Sequence, residues 1–361
     1  MERLRLAENP PVSLWVKTGA GERRNNMILY DPGKRFGLIE FGIEIPVDHS
    51  RQSMTFDALM KDPMLGSMRS RWHIDTLSES AAREDLLRAH SKAYVDKLFS
   101  EALEGEIVRT FELIDEKGEY YRYNPKNASL PLVRLFDRIL MKVGGTIQCC
   151  RTALENGFCF FFGGGMHHAQ RDFGNGFCML NDLVIAVRKL QAENKIESTW
   201  IIDLDAHKGD GTAAITQGDG TIKTLSIHMA QGWPLDGPKY DRSGNLNPSF
   251  IPSDVDIGIG RGEENLYSKR LEEGLKILEE SGLPDFALVV SGADPYEKDE
   301  LPSAMALRLT LAQMKERDLL VYRFLQEREI PRAYVSAGGY GRSAWEVDAQ
   351  FLKWVLKKRM G

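Results

Sequence analysis

Five short apolar segments constrain this chain more than anything else in it: Phe158–Gly163, Thr199–Asp205, Thr221–His228, Phe286–Ser291 and Ala333–Ala337. Each is followed by a glycine-bearing turn, a long loop or a helical stretch. Runs this short and this apolar suit strands buried on both faces. Helical periodicity is read at 80–103, 131–155, 179–194, 263–282, 304–328 and 344–359, with Ser80 placed to cap the first. Strands alternating with helices predict an α/β fold, a single three-layer domain over 1–361 whose mostly parallel sheet is covered on both faces. Residues 1–80 read as a less regular N-terminal part of the same domain. Ligands of such sheets bind beyond the carboxyl ends of the strands, and the polar residues of interest concentrate there.

Composition narrows the function classes. With 47 Lys and Arg against 52 Asp and Glu, the net charge of −5 offers no basic footprint for nucleic acid. No apolar run approaches a membrane span, and Met1–Arg5 have no apolar core behind them, which predicts neither a signal peptide nor an anchor. The expectation is a cytoplasmic protein. Cys149, Cys150, Cys159 and Cys178 form no CxxC pair and have apolar neighbours, so buried reduced thiols are expected.

The chemistry is densest at Trp200–His207. Residues two apart on a strand face one way, so Asp203, Asp205 and His207 share a face at a strand end. Oxygen and nitrogen donors converging there suit Zn²⁺ or a similar divalent metal, and a catalytic zinc site usually takes three protein ligands. Asp294, in Ser291-Gly292-Ala293-Asp294, sits at another strand end and is the third candidate. Gly163-Gly164-Gly165 precedes His167 and His168, adjacent histidines placed for acid–base work. Asp210 and Asp203 are candidates to accept the second N–H of these histidines; Asp203 is also a candidate to bind a monovalent cation. Tyr340, in Gly338-Gly339-Tyr340-Gly341, can aim its hydroxyl at a developing oxyanion. Gly176-Phe177 and Trp233-Pro234 are candidates to line an apolar channel.

These motifs, with Gly176-Phe177-Cys178, Asn181-Asp182 and Gly209-Asp210-Gly211, resemble in order and spacing the zinc-dependent histone deacetylase superfamily. That superfamily also includes acetylpolyamine amidohydrolases and acetoin-utilisation-type deacetylases. Gly144-Gly145-Thr146-Ile147 and the 201–207 segment are most similar to its class IV. The resemblance runs from about Glu84 onward and implies the arginase-like fold with about eight strands. It assigns one Zn²⁺ to Asp205, His207 and Asp294. It makes His167 and His168 the catalytic pair, with Asp203 and Asp210 as partners, and Tyr340 the carbonyl-polarising hydroxyl. A structural K⁺ is implied at Asp203, Asp205, His207, Ser226 and Ile227. Gly176, Phe177, Trp233 and Leu301 fall in the substrate tunnel.

The chain departs from the pattern in three places. Lys208 stands where many deacetylases have His, and an ammonium cannot copy an imidazole. Asp299-Glu300-Leu301-Pro302 replaces the usual Asp-Arg-Leu-Gly run. The acidic residue that grips substrate at the rim is open among Glu112, Asp115 and Glu116.

The expected activity is hydrolysis of an acetyl or longer acyl group from lysine side chains or similar amines. An acetylpolyamine or small-metabolite amidohydrolase and a non-catalytic acyl-lysine binder are the alternatives. An arginase-type dimanganese centre is disfavoured. Gly209 occupies the position of a needed second-metal aspartate, and Ala293 precedes Asp294 where that family pairs aspartates.

Overall fold

The computed structural model describes residues 26–34, 37–45 and 50–361. The part of the N-terminal reading that falls on 1–25, 35–36 and 46–49 lies outside the described residues. Eight strands form one sheet: β1 (Ile28–Leu29), β2 (His73–Ile74), β3 (Phe158–Phe161), β4 (Thr199–Asp203), β5 (Ile222–Met229), β6 (Val255–Ile259), β7 (Phe286–Ser291) and β8 (Arg332–Ser336). The order across the sheet is β2-β1-β3-β8-β7-β4-β5-β6, and every pairing is parallel.

Alternation along the strands splits the core in two. Cys159, Phe161 and Ile201 face one apolar cluster, and Phe158, Phe160, Trp200 and Ile202 face the other. Twelve helices are described: α1 (Ser50–Met60), α2 (Pro63–Ser67), α3 (Arg69–Trp72), α4 (Arg83–Leu86), α5 (Lys92–Leu98), α6 (Leu103–Thr110), α7 (Leu135–Asn156), α8 (Asp182–Ala192), α9 (Asp210–Thr216), α10 (Tyr267–Glu280), α11 (Leu311–Glu327) and α12 (Ala344–Met360). α7 and α8 cover the first face through Val143, Ile147, Leu183 and Val187. α10, α11 and α12 cover the second through Leu271, Val321 and Leu352. The result is the three-layer α/β arrangement expected of apolar parallel strands. α7 lies hard against β3, because a side chain at Gly145 would meet the Phe161 ring at 2.3 Å.

Several sequence expectations need correction. The single helix at 80–103 is broken into α4 and α5, with α6 beginning at Leu103. Ser80 does not cap it: the Ala82 N–H donates to Asp85 at 3.0 Å, and Ser91 caps the next helix by accepting the Tyr94 N–H. Residues 50–80 are not irregular; they carry three helices and the edge strand β2. The strand read as Thr199–Asp205 stops at Asp203, so Asp205 and His207 lie in the loop beyond it. The helix expected from 304 begins at Leu311. β1, β2 and β6 were not expected.

Arg51 on α1 joins the second helical layer to the strand ends. Its guanidinium pairs with Asp348 on α12 at 2.8 and 3.0 Å and donates to the carbonyls of Ala337 and Gly338, both at 2.9 Å. Both side chains are buried. Replacing Asp348 by Ala leaves a buried guanidinium without its counter-charge, which typically costs about 3–5 kcal/mol. Urea unfolding of Asp348→Ala is therefore expected to show a loss of that size; a midpoint within error of the parent would show that Arg51 does not need the pair.

Candidate metal centre and active site

The loops after β3, β4, β7 and β8 leave the carboxyl ends of four adjacent strands. They carry Gly163–His168, Leu204–Gly209, Gly292–Asp294 and Ala337–Tyr340. Residues far apart in the chain are thereby pressed together. Asp205, His207 and Asp294 are buried, and one donor atom from each lies within 4.8 Å of the others. His207 Nδ1 is 3.0 Å from Asp294 Oδ2 and 3.3 Å from Asp205 Oδ1.

Backbone N–H groups hold the carboxylates in place. Asp205 accepts from Gly338 at 2.8 Å and from His207 at 3.0 Å. Asp294 accepts from Ala206 at 3.0 Å. Bare glycine backbones make room: a Cβ at Gly338 would lie 2.5 Å from Asp294 Oδ2 and 2.6 Å from Asp205 Oδ2.

This set fits a divalent cation. Burial and the neighbouring Asp205 push Asp294 up to about 6. Burial also opposes charge on Asp205, yet His167 and His207 outweigh it and hold that carboxyl well below its usual range. Burial would depress His207, but Asp205 and Asp294 raise it to about 10. The carboxylates thus draw positive charge into the site, and two oxygens with one imidazole nitrogen suit zinc.

The two histidines face this centre with separate partners. His167 Nδ1 donates to Asp203 at 2.6 Å, and His168 Nδ1 donates to Asp210 at 2.7 Å. Asp210 also accepts from Gln170 at 2.9 Å and Ser249 at 2.6 Å. The rings lie 3.9 Å apart, and their environments drive them in opposite directions. Burial disfavours the charged form of both. For His167 the carboxylates of Asp203 and Asp205 outweigh burial and raise it to about 9. For His168 burial is reinforced by cationic His167, against Asp210, and the ring falls to about 4. At neutral pH His167 is cationic and His168 is a free base. The histidine loop is fixed from below by buried Asp182, which accepts from Gly165, Met166 and the Thr146 hydroxyl at 3.0, 2.7 and 2.5 Å.

Tyr340 lines the same cavity as His167, His168, Asp205 and His207. Burial, with Asp294 and Asp205 close by, keeps its phenol protonated far above the ordinary range. Gly176, Phe177, Trp233 and Leu301 line a second cavity of about 160 Å³, which also touches His168, His207 and Tyr340. Its walls are close-packed. The Trp233 ring sits 4.4 Å from His168, and a side chain at Gly176 would meet that indole at 2.2 Å. Asp203 and Ser226 lie opposite each other on β4 and β5; Ile227 follows on β5.

The departures from the motif pattern find local partners. Lys208 is buried and pairs with Asp256 on β6 at 3.2 Å. Asp299 accepts the N–H of Tyr340 at 2.7 Å and of Leu301 at 2.9 Å, and Glu300 accepts that of Arg342 at 3.1 Å. Of the three rim candidates Glu112 lines the outer cavity, whereas Asp115 accepts N–H groups of its own turn. Glu112 pairs with Arg122 at 2.5 Å. Sequence reading missed Arg51, Arg122 and Ser303, whose hydroxyl is 3.3 Å from His207 Nε2. None of these stands in a motif that would mark it.

Comparison with known proteins places the chain in a family. The histone deacetylase domain matches residues 45–355. An uncharacterised protein of Picosynechococcus sp. is 35% identical over 207 residues, 57% of this chain and 64% of that protein, so the match spans just under two thirds of that relative. Histone deacetylase 2 of Arabidopsis thaliana is 26% identical over 312 residues, 85% of this chain and 73% of that protein. A probable deacetylase of Archaeoglobus fulgidus is 28% identical over 278 residues, 75% of this chain and 70% of that protein. With the domain match running through nearly the whole described chain, this protein belongs to the histone deacetylase family of hydrolytic deacetylases.

Proposed function

We propose that the chain is one catalytic domain that removes an acetyl or longer acyl group from lysine side chains or similar amines, with one Zn²⁺ held by Asp205, His207 and Asp294. The observation that carries this reading is the placement of His167, His168 and a protonated Tyr340 in one cavity with Asp205 and His207, whose donor atoms lie within 4.8 Å of one from Asp294. A structural K⁺ at Asp203, Asp205, His207, Ser226 and Ile227 belongs to the same reading, supported by the facing of Asp203 and Ser226.

When bound, the metal supplies Lewis acidity, which polarises a carbonyl and acidifies water. The remaining work falls to side chains. His168, uncharged and oriented by Asp210, takes the proton of the attacking water at Nε2 and later delivers one to the leaving nitrogen. His167, held through Nδ1 by Asp203, stays beside the reacting centre and favours the negative charge that develops there. The Tyr340 hydroxyl donates to the tetrahedral oxyanion. Phe177 and Trp233 flank the aliphatic stem of the substrate and keep water out.

Three variants test the roles separately on an acetyl-lysine peptide. Tyr340→Phe is expected to lose about 10²–10³ in kcat while keeping its zinc; near-normal turnover would remove Tyr340 from the reaction. Asp294→Ala is expected to lose zinc and activity together, read by metal analysis of the dialysed protein; one zinc per chain would show that the third ligand is another residue. Asp210→Asn is expected to keep its zinc and lose about 10–100-fold in activity, the usual cost of removing an orienting partner; unchanged kcat would show that His168 needs no such partner.

A further inference from the structure

The two ring nitrogens of His207 meet different surroundings. Nδ1 turns toward the other two donors of the candidate metal centre, 3.0 Å from Asp294 Oδ2 and 3.3 Å from Asp205 Oδ1. Nε2 turns the other way, and its partner is the Ser303 hydroxyl at 3.3 Å. The ring also meets the Trp233 indole edge-on, with centroids 5.6 Å apart and planes at 68°. An aromatic contact of that kind restricts the tilt of the imidazole but does not decide which nitrogen carries the hydrogen.

Ser303 stands on a stiff support. Pro302, whose ring fixes φ, opens a tight helical turn over Pro302–Ala304. The buried side chains of Leu301 and Ala304 anchor that turn to the core on either side, while Ser303 itself is exposed. The Ala304 N–H closes the turn on the Leu301 carbonyl at 3.0 Å. Asp299 accepts the Leu301 N–H at 2.9 Å and the Tyr340 N–H at 2.7 Å, so one carboxylate holds both the serine turn and the tyrosine loop. This is the segment in which Asp299-Glu300-Leu301-Pro302 departs from the family pattern. Proline in that place gives a stiffness that glycine would not.

A histidine ligates a metal as the neutral imidazole, so a metal at Nδ1 requires the hydrogen on Nε2. Metal-ligand histidines as a rule give that N–H to an oxygen acceptor, which fixes the tautomer and the ring plane and raises the basicity of the ligating nitrogen. Asp203 and Asp210 do this for His167 and His168 and are committed there. Resting on the zinc reading above, we infer that Ser303 is the positioning residue of the metal histidine. Its hydroxyl accepts the Nε2–H of His207 and holds Nδ1 toward the cation. Ser303 also lines the outer cavity with Trp233 and Leu301, so direct contact with substrate is the rival role, and the experiment separates the two.

The test is the zinc affinity of the full chain, read by competition with a chromophoric chelator, for Ser303→Ala and Ser303→Thr. At an exposed position neither change threatens the fold. Loss of an orienting partner typically costs about 10–100-fold in metal affinity, and because water reaches this exposed edge Ser303→Ala is expected at the lower figure, about 10-fold. Ser303→Thr keeps the hydroxyl and is expected to bind zinc as the parent does. With saturating zinc, both variants should keep the parental KM for an acetyl-lysine peptide. Parental zinc affinity in Ser303→Ala, or equal weakening in the Ala and Thr variants, would overturn the inference. Parental zinc affinity with a raised KM would overturn it too and make Ser303 a substrate contact. A parent that binds no zinc, or an Asp294→Ala protein that still binds one, would remove the three-ligand reading itself and the inference with it.

Discussion

Parallel pairing of β3, β8, β7 and β4 is the constraint on which the site depends. Because these four strands run the same way, their carboxyl ends emerge together, and four loops from distant parts of the chain meet in one place. β3 and β8 are separated by well over a hundred residues, yet pair in register from Phe158–Arg332 to Phe161–Val335. Any antiparallel strand inserted among them would send one loop to the far edge of the sheet. The loops are then tied by their own polar groups. Asp205 reaches the backbone of the β8 loop, and Asp294 reaches that of the β4 loop. Arg51 and Arg317 cap the carbonyls left over at Gly338, Leu204 and Gly292. These bonds pair backbone groups buried at the strand ends, which is what burying irregular backbone requires.

The histidine pair shows how environment, not residue type, sets a role. Both rings are buried, and both give Nδ1–H to a carboxylate at nearly the same distance. His167 faces a second carboxylate, Asp205, at 3.7 Å, whereas His168 faces the Trp233 ring and the charge of His167. A second carboxylate beside one ring, and burial with cationic neighbours beside the other, separate a ring held near 9 from one held near 4. Two titratable neighbours pushed apart in this way give one charged group and one base at the same pH.

Much of this was readable in the chain. The five short apolar runs and the turns that follow them carry the central strands and every metal and histidine residue of the site, because such runs are buried and such ends are turns. What escaped reading shares a physical cause. β1 and β2 are two residues each, too short for any periodicity. β6 reads Val255-Asp256-Ile257-Gly258-Ile259, an edge strand half open to solvent, and its Asp and Gly disguise it. The helix over 80–103 breaks at Ser91, where a side-chain cap competes with continued helix. Arg51 was invisible because its importance lies in partners nearly three hundred residues away.

The departures from the family pattern follow a single logic: each charged replacement is answered by a neighbour, so the reacting groups never meet it. Lys208 follows a metal-ligand histidine but turns away to Asp256, whose other oxygen is 3.1 Å from His228 Nε2. An ammonium in that place therefore adds a link between the β4 loop and β6 instead of a charge in the active site. Glu300 works the same way around Tyr340. It accepts the Arg342 N–H while its own N–H donates to the Tyr340 carbonyl at 3.3 Å, and Asp299 takes the Tyr340 N–H. The tyrosine loop is thus held on both sides by backbone bonds, in a stretch where Gly339 and Gly341 adopt φ of 149° and 82° and supply no stiffness of their own. A phenol that must meet an oxyanion cannot wander, and here acidic side chains on the preceding loop supply the rigidity that the glycines give up.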